Sequence, residues 1–190
     1  MIINNPKVAI IILNWNGLKD TIECLESVKK IDYPNYEIIV VDNASVDGSP
    51  EKLKELFPDI TLIRNKENLG YAGGNNVGIR YALKNNAEYI FVLNNDTVVV
   101  DKDILKILVK TANLYPDAGV FGPKICLYDE PNKIGFSPTY WDKRKCTFIL
   151  KKYYDYDEVV EIDDIRGCAI FFKREVVEKI GLFDSKFFLK

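Results

Sequence analysis

Asp96 lies in YIFVLNNDTVV (89–99), a carboxylate between two apolar runs of strand-forming residues. Such a place suits a bulge or a tight strand exit. An oxygen ligand there suits Mg2+ or Mn2+, which bind through one or two carboxylates plus substrate phosphates. A local turn cap is the competing reading of Asp96. Histidine is absent from the chain, which excludes Ser-His-Asp and Cys-His nucleophiles and histidine metal sites within it. A divalent cation shared with a diphosphate is the chemistry left to Asp96. Apolar runs hand over to polar clusters at two more places, NWNG (14–17) and DNASVDGS (42–49). Ligands of open parallel sheets gather beyond the carboxyl ends of the strands, so Asn14, Asn16, Asp42, Asn43, Asn94 and Asn95 are expected to face one crevice. Asp42 would accept there from a base N–H or a ribose hydroxyl; an Asx turn with Ala44 or Ser45 is its alternative. Asp47 and Gly48 suit a ligand contact or a turn equally.

The stretch NLGYAGGNNVG (68–78) is dense in glycine but matches no standard phosphate fingerprint. A dinucleotide loop needs G-x-G-x-x-G directly after the first strand, where this chain has NWNG, and a Walker loop needs G-K-[ST]. Gly70, Gly73 and Gly74 instead let a backbone approach something closely before a helix begins. Arg64 and Arg80 flank this stretch and would offset phosphate charge, or else lie solvated at the surface. Arg166, Gly167, Cys168 and Ala169 precede IFF (170–172). Their small members would leave room for a sugar, or keep that strand near its neighbour. Phe136, Tyr140 and Trp141 would stack on a sugar face, or anchor a loop.

These residues need a scaffold, and the apolar pattern supplies one. Val8 to Leu13, Glu37 to Val41, Ile60 to Ile63 and Tyr89 to Leu93 read as buried strands bounded by turn formers. Helices are expected between them: one opened by the capping box Asp20 to Glu23, one with Ser49 before Pro50, and one from about Gly73 to Leu83. A fourth is capped by Asp101 and carries Ile104, Leu105, Leu108, Val109 and Ala112. Strand–helix alternation four times over predicts a doubly wound α/β sheet, mostly parallel and flanked by helices. After Gly119 the pattern changes to short strand candidates, Val120–Ile125, Thr147–Leu150, Val159–Ile162 and Cys168–Phe172, then a helix near Glu175 to Ile180 with Gly181 as a left-handed cap. Residues 141–152 hold five bases against one acid, and residues 155–164 hold six acids and no base. A solvated hairpin with complementary strands or an acceptor-facing surface would account for both blocks.

The chain has 190 residues, the length of one domain with room for a sizeable core. Lys plus Arg number 26 and Asp plus Glu 28, a net charge of −2, which argues against a dedicated nucleic-acid coat. Four cysteines at 24, 126, 146 and 168 form no C-x-x-C pair. Cys24 and Cys168 lie in apolar patterns and read as buried reduced thiols rather than a disulfide. No stretch reaches the ~20 apolar residues of a membrane span and no signal core is present. A cytoplasmic protein is expected, with peripheral association at the inner membrane face left open and the oligomeric state undetermined.

VAIIILNWNG (8–17), IIVVDNASVDGS (38–49), NLGYAGGNNVGIRYAL (68–83), YIFVLNNDTVV (89–99) and RGCAIFFKREVVEKIGLFDSKFF (166–188) together resemble the family 2 glycosyltransferases. The nearest branch looks like rhamnosyltransferase-like enzymes of cell-surface polysaccharide synthesis. The resemblance implies a single GT-A domain over 1–190, with a donor half at 1–118 and an acceptor half at 119–190. It implies inverting transfer from a UDP- or dTDP-sugar to a saccharide or lipid-linked hydroxyl, with Mg2+ or Mn2+. By position, Asp42 resembles the base-binding acid, and Asn14, Asn16, Asn43, Arg64, Gly70, Gly73, Asn94 and Asn95 resemble the donor pocket. Asp96 matches the last acid of a D-x-D metal motif whose first acid is here Asn94. Arg166, Gly167, Cys168 and Asp184 fall on the acceptor side. The family's general base, the Asp of a Glu-Asp pair, is expected beyond Lys190, which leaves the catalytic residue unassigned and a non-catalytic, donor-binding role as the alternative. A nucleotidylyltransferase and a nicotinamide dehydrogenase are disfavoured, since neither of their glycine-rich loops follows the first strand.

Overall fold

The computed structural model describes residues 5–150 and 158–188. Val8–Asn14 (β1) is an apolar run in which Val8 to Ile12 are wholly buried, as a strand covered on both faces requires. Leu18–Val28 (α1), Tyr36–Asp42 (β2), Ser49–Leu56 (α2), Thr61–Arg64 (β3), Gly70–Lys84 (α3), Tyr89–Asn94 (β4) and Ile104–Leu114 (α4) follow. Then come Val120–Phe121 (β5), a hairpin of Thr139–Asp142 (β6) and Thr147–Leu150 (β7), Ala169–Lys173 (β8) and Arg174–Ile180 (α5). The chain forms two compact units. One comprises Met1–Phe121 with Gly167–Lys190, the other Gly122–Arg166.

In the first unit the sheet order is β3-β2-β1-β4-β8-β5. The first four strands are parallel, β8 runs antiparallel to β4, and β5 antiparallel to β8. The chain steps outward from β1 to β2 to β3 and then returns past both to β4. Right-handed crossovers therefore place α1 and α2 on one face and α3 on the other. On the α3 face Ile79 and Ala82 pack with Ala9, Ile11, Ile39 and Val41. Ile10, Ile12 and Val40, on the opposite pleat, are equally buried. Each such side chain contributes roughly 1.5–3 kcal/mol relative to exposure. Gly74 lets α3 lie close to the sheet: a Cβ there would meet Leu13 Cδ1 at 2.4 Å and Asn43 Nδ2 at 3.0 Å. The change of direction leaves a crevice at the carboxyl ends of β1 and β4, the switch point of a doubly wound sheet.

The second unit holds the β6–β7 hairpin, in which Tyr140 and Trp141, expected in a loop, are strand residues. Trp141 and Phe148 are cross-strand partners with ring centroids 5.1 Å apart. The turn is closed by Asp142 Oδ1, which accepts from the N–H groups of Arg144 and Lys145.

Several boundaries differ from expectation for physical reasons. The strand expected over Val120–Ile125 stops at Phe121, because Pro123 has no N–H for a ladder. Val159–Ile162 forms no strand, and nearby only an isolated bridge links Thr139 to Asp164. α1 begins at Leu18 without the Asp20 capping box; Asn14 Oδ1 accepts from Gly17 N at 3.2 Å instead. α3 begins at Gly70 rather than Gly73 because two side-chain amides, one local and one from the end of β2, hold its first N–H groups: Asn68 Oδ1 accepts from Gly70 N and Asn43 Oδ1 from Leu69 N. Asp103, not Asp101, occupies the N-cap of α4, and Asp101 Oδ1 accepts from its N–H. Gly181 has positive φ (89°) but ψ of −168°, outside the left-handed helical region. The base-rich block (141–152) and the acid-rich block (155–164) lie partly outside the described residues.

Candidate functional site

The parallel strands end level with one another. Leu13 sits opposite Asn94, Asn14 opposite Asp42, and Asp42 opposite Arg64. Two strand spacings, about 10 Å, separate the ends of β2 and β4, within the span of a nucleoside diphosphate. The polar clusters of the sequence thus lie along one edge of the sheet.

Asn14 is the hub of that edge and is wholly buried. Its Nδ2 donates to Asp42 Oδ1 at 2.8 Å and to Ser45 Oγ at 3.1 Å, and its Oδ1 accepts from Thr21 Oγ1 at 2.9 Å. Asp42 Oδ2 accepts from Ser45 N at 3.0 Å. At 1% exposure, the Asp42 carboxylate is committed to holding the loops after β1 and β2 together. The Asx turn with Ser45, the alternative open from the sequence, is therefore present. Asn16, exposed and with φ of 52°, joins the same two loops, its N–H to Ser45 Oγ and its Oδ1 from Val46 N.

Asn43 uses its whole amide. Nδ2 donates to Asn68 Oδ1 and Gly70 O, while Oδ1 accepts from Asn65 Nδ2 and Leu69 N. It fastens the end of β2 to the start of α3. Arg64, expected to offset phosphate, is exposed and paired with Glu51 at 2.7 Å. Gly73 lies within the first turns of α3.

At the end of β4, Asn94 N donates to Cys168 O at 2.9 Å, and Asn95 Nδ2 to Thr21 Oγ1 at 3.0 Å. Asp96 is exposed on the following turn and forms no hydrogen bond or ion pair among the described residues. Its charge, after burial, helps push the nearby Cys24 thiol up to about 12. All four cysteines are free. Cys24 is buried as expected, whereas Cys168 is only partly so.

Between these loops, the first unit encloses a cleft of about 530 Å³. Leu13, Leu93, Trp15, Tyr71 and Phe188 form its apolar walls. Its polar lining is entirely amide: Asn43, Asn68, Asn75, Asn94 and Asn95, with Gly70 beside them. Among the described residues no charged one lines it. Of the residues singled out from sequence, Asn43, Gly70, Asn94 and Asn95 meet here; Asn14 and Asp42 are buried outside the lining, and Asn16 and Asp96 are exposed outside it. Gly167 O accepts from Tyr71 OH at 2.5 Å, so the stretch before β8 is tied to α3. Asp184 caps its own turn through Lys186 N. Arg166 belongs to the second unit, where its guanidinium lies 5.0 Å over the Phe136 ring.

Sequence reasoning missed Trp15, Asn68, Tyr71, Asn75 and Phe188 as lining residues. The two consecutive amides Asn75-Asn76 inside an otherwise small-residue helix were the available signal. Tyr71 is the junction: its N–H donates to Phe188 O at 2.9 Å, and burial pushes its phenol up to about 12.

Comparison with known proteins bears on this arrangement. A hexosyltransferase of low-salt glycan biosynthesis, Agl10 of Haloferax volcanii, is 28% identical over 96% of this chain and 57% of its own length. The galactofuranosyltransferase GlfT1 of Mycobacterium tuberculosis is 32% identical over 52% of this chain and 33% of its own. The chain thus spans about half or less of the curated relatives it matches. Among solved structures, the mannosyltransferase PcManGT of Pyrobaculum calidifontis, in complex with GDP-Man and Mn2+, shares the fold. Its TM-score is 0.69 at 23% identity, over 96% of this chain and 49% of that one. S. aureus TarS 1–349 with UDP aligns with a TM-score of 0.70 at 16% identity, over 96% of this chain and 51% of that one. These neighbours share the GT-A architecture of a helix-flanked, mostly parallel sheet. The model of glycosyl transferase family 2 covers residues 9–181, all the parallel strands and the cleft's amides included, and the chain belongs to that family.

Proposed function

We propose that the chain binds a nucleotide-diphosphate sugar and serves its inverting transfer to a saccharide or lipid-linked acceptor hydroxyl in cell-surface polysaccharide synthesis. The observation that carries this is a neutral, amide-lined cleft at the sheet's switch point with a disengaged carboxylate, Asp96, just outside it. Amides and aromatic walls suit the uncharged parts of a nucleotide sugar, its base, ribose and hexose. The anionic diphosphate is then left to the rim at Asn94, Asn95 and Asp96. The printed partners of two structural neighbours, GDP-Man with Mn2+ and UDP, support a donor of this class.

Asp96 fits a divalent cation, because its carboxylate is exposed and engaged with no other side chain. No group of three His, Cys, Asp or Glu residues among the described residues is placed to hold a metal. Mg2+ or Mn2+, which keep waters and take substrate phosphates beside one or two carboxylates, match that sparse set. When bound, such an ion supplies neutralisation of the leaving diphosphate. The protein's own part is positional: Asn14, Asp42, Ser45 and Thr21 lock the loops that carry Trp15 and Asn95, so the cleft is formed before ligand arrives. Among the described residues no carboxylate lines the cleft to take the acceptor proton. That observation favours donor binding without transfer as the second reading for residues 1–190. The UDP- or dTDP-sugar expected from the sequence is proposed as donor, in the cytoplasm, with peripheral docking at the membrane for a lipid-linked acceptor. Among the described residues no helix is long and apolar enough to cross a membrane.

Calorimetric titration with UDP, dTDP and GDP, with and without Mn2+, tests the reading. Nucleotide binding strengthened by Mn2+ is expected. In Asp96→Ala the Mn2+-dependent gain, about tenfold or more for one lost charged ligand, should vanish while the fold persists. A chain that binds none of the nucleotides overturns the proposal.

A further inference from the structure

Asn75 is 1% exposed and borders the cleft. Its Nδ2 donates to Tyr71 O at 3.0 Å, one turn back along α3. That bond fixes which way the amide faces, since the reversed amide would set oxygen against a carbonyl. Its Oδ1 is buried and has no hydrogen-bond partner. The buried amides around it are engaged: Asn43 at four points, Asn14 at four, Asn76 in a reciprocal pair with the backbone of Phe183. An orphaned acceptor costs about 1–3 kcal/mol in desolvation, and such a group in a folded protein calls for a partner. A helix needing only to pack here would be better served by leucine or alanine.

We infer that Asn75 Oδ1 is a recognition acceptor completed by the ligand, receiving an O–H or N–H from the uncharged part of a nucleotide sugar. This rests on the donor-binding reading above and deepens it. A phosphate has no donor to offer at neutral pH and no described residue of the lining is cationic, so the partner is a hydroxyl of ribose or hexose, or an N–H of the base. Because the site is buried, a ligand lacking that donor would leave Oδ1 unpaired and be rejected more strongly than the loss of one contact in water suggests.

Asn75→Leu removes the acceptor at nearly constant volume. The Tyr71 carbonyl stays in the helix ladder, so the unliganded variant should melt at or above the temperature of the unchanged chain. Its affinity for UDP-GlcNAc or GDP-Man with Mn2+, whichever the unchanged chain binds, should fall about tenfold, the worth of one hydrogen bond to a buried group. Asn75→Ala should repeat the loss. Titration with UDP or GDP alone separates the sources: a loss retained without the hexose assigns the nucleoside, and a loss seen only with it assigns a hexose hydroxyl. Should both variants fail to fold, donor analogues lacking one N–H or O–H at a time, titrated into the unchanged chain, must include one that loses about tenfold. Unchanged affinity in a folded variant, or no such analogue, overturns the role of Asn75 while the donor site stands. An unchanged chain that binds no nucleotide sugar overturns both.

Discussion

Asp42, expected to touch ligand, is hydrogen-bonded within the fold. Its two oxygens accept from Asn14 Nδ2 and Ser45 N inside the fold. Asp42→Asn would turn one oxygen into a donor facing a donor, so a loss of about 1–3 kcal/mol is expected, read as a lower urea midpoint with unchanged slope. Nucleotide affinity measured with Mn2+ well below the melting temperature should fall less than in Asp96→Ala, because the latter removes the carboxylate proposed to hold the cation. The positions of Asn14, Asp42, Asn94 and Asp96 were legible in the sequence, since turn formers after apolar runs mark strand ends. Which of them face solvent was not. Spacing along a chain cannot tell a carboxylate that is bonded from two directions from one that is bonded from none.

At the scale of elements, the four parallel strands were legible to within a residue or two, because unbroken apolar runs leave few other fates. The start of α3 was not. It depends on amides at Asn43 and Asn68 reaching the first N–H groups, a long-range cap in the case of Asn43. Gly70 adds a second constraint: φ is +69° and a Cβ would lie 2.4 Å from Phe188 O. Gly70→Ala is expected to cost about 2 kcal/mol from backbone strain and crowding. It should also break the Tyr71 N–H bond to Phe188 O. Thermal melting reads the first effect, and faster amide exchange at Tyr71 reads the second; a variant as stable as the parent would contradict both. The hairpin of the second unit was half legible, its β7 strand found and its β6 partner taken for loop, because Trp141 and Tyr140 fit either role.

For the whole molecule, burial sets the alkaline limit. Cys24 is pushed up from 9.0 to about 12, and Tyr33 and Tyr71 from 10.0 to about 12, in each case chiefly by desolvation. The folded chain therefore keeps protons that the unfolded chain releases, so stability is fully present below about pH 9 and declines as pH rises toward 12. Urea midpoints at pH 7, 9, 10 and 11 should be level over the first pair and fall over the rest; a flat series to pH 11 would refute this. The matching family architecture was legible because five separated segments carried it, and the change of pattern after Gly119 was legible too, whereas the grouping of Gly167–Lys190 with the first unit was not, since no linker composition marks it. One feature of the core reaches further than its position suggests. Gly74 touches no ligand-facing space itself, yet the missing methyl group is what lets Leu13 and Asn43, floor and wall of the cleft, stand where they do. The aperture of the cleft is thus gauged from behind, by the thickness of a helix against a sheet, and a single added carbon at Gly74 would retune it without altering any lining residue.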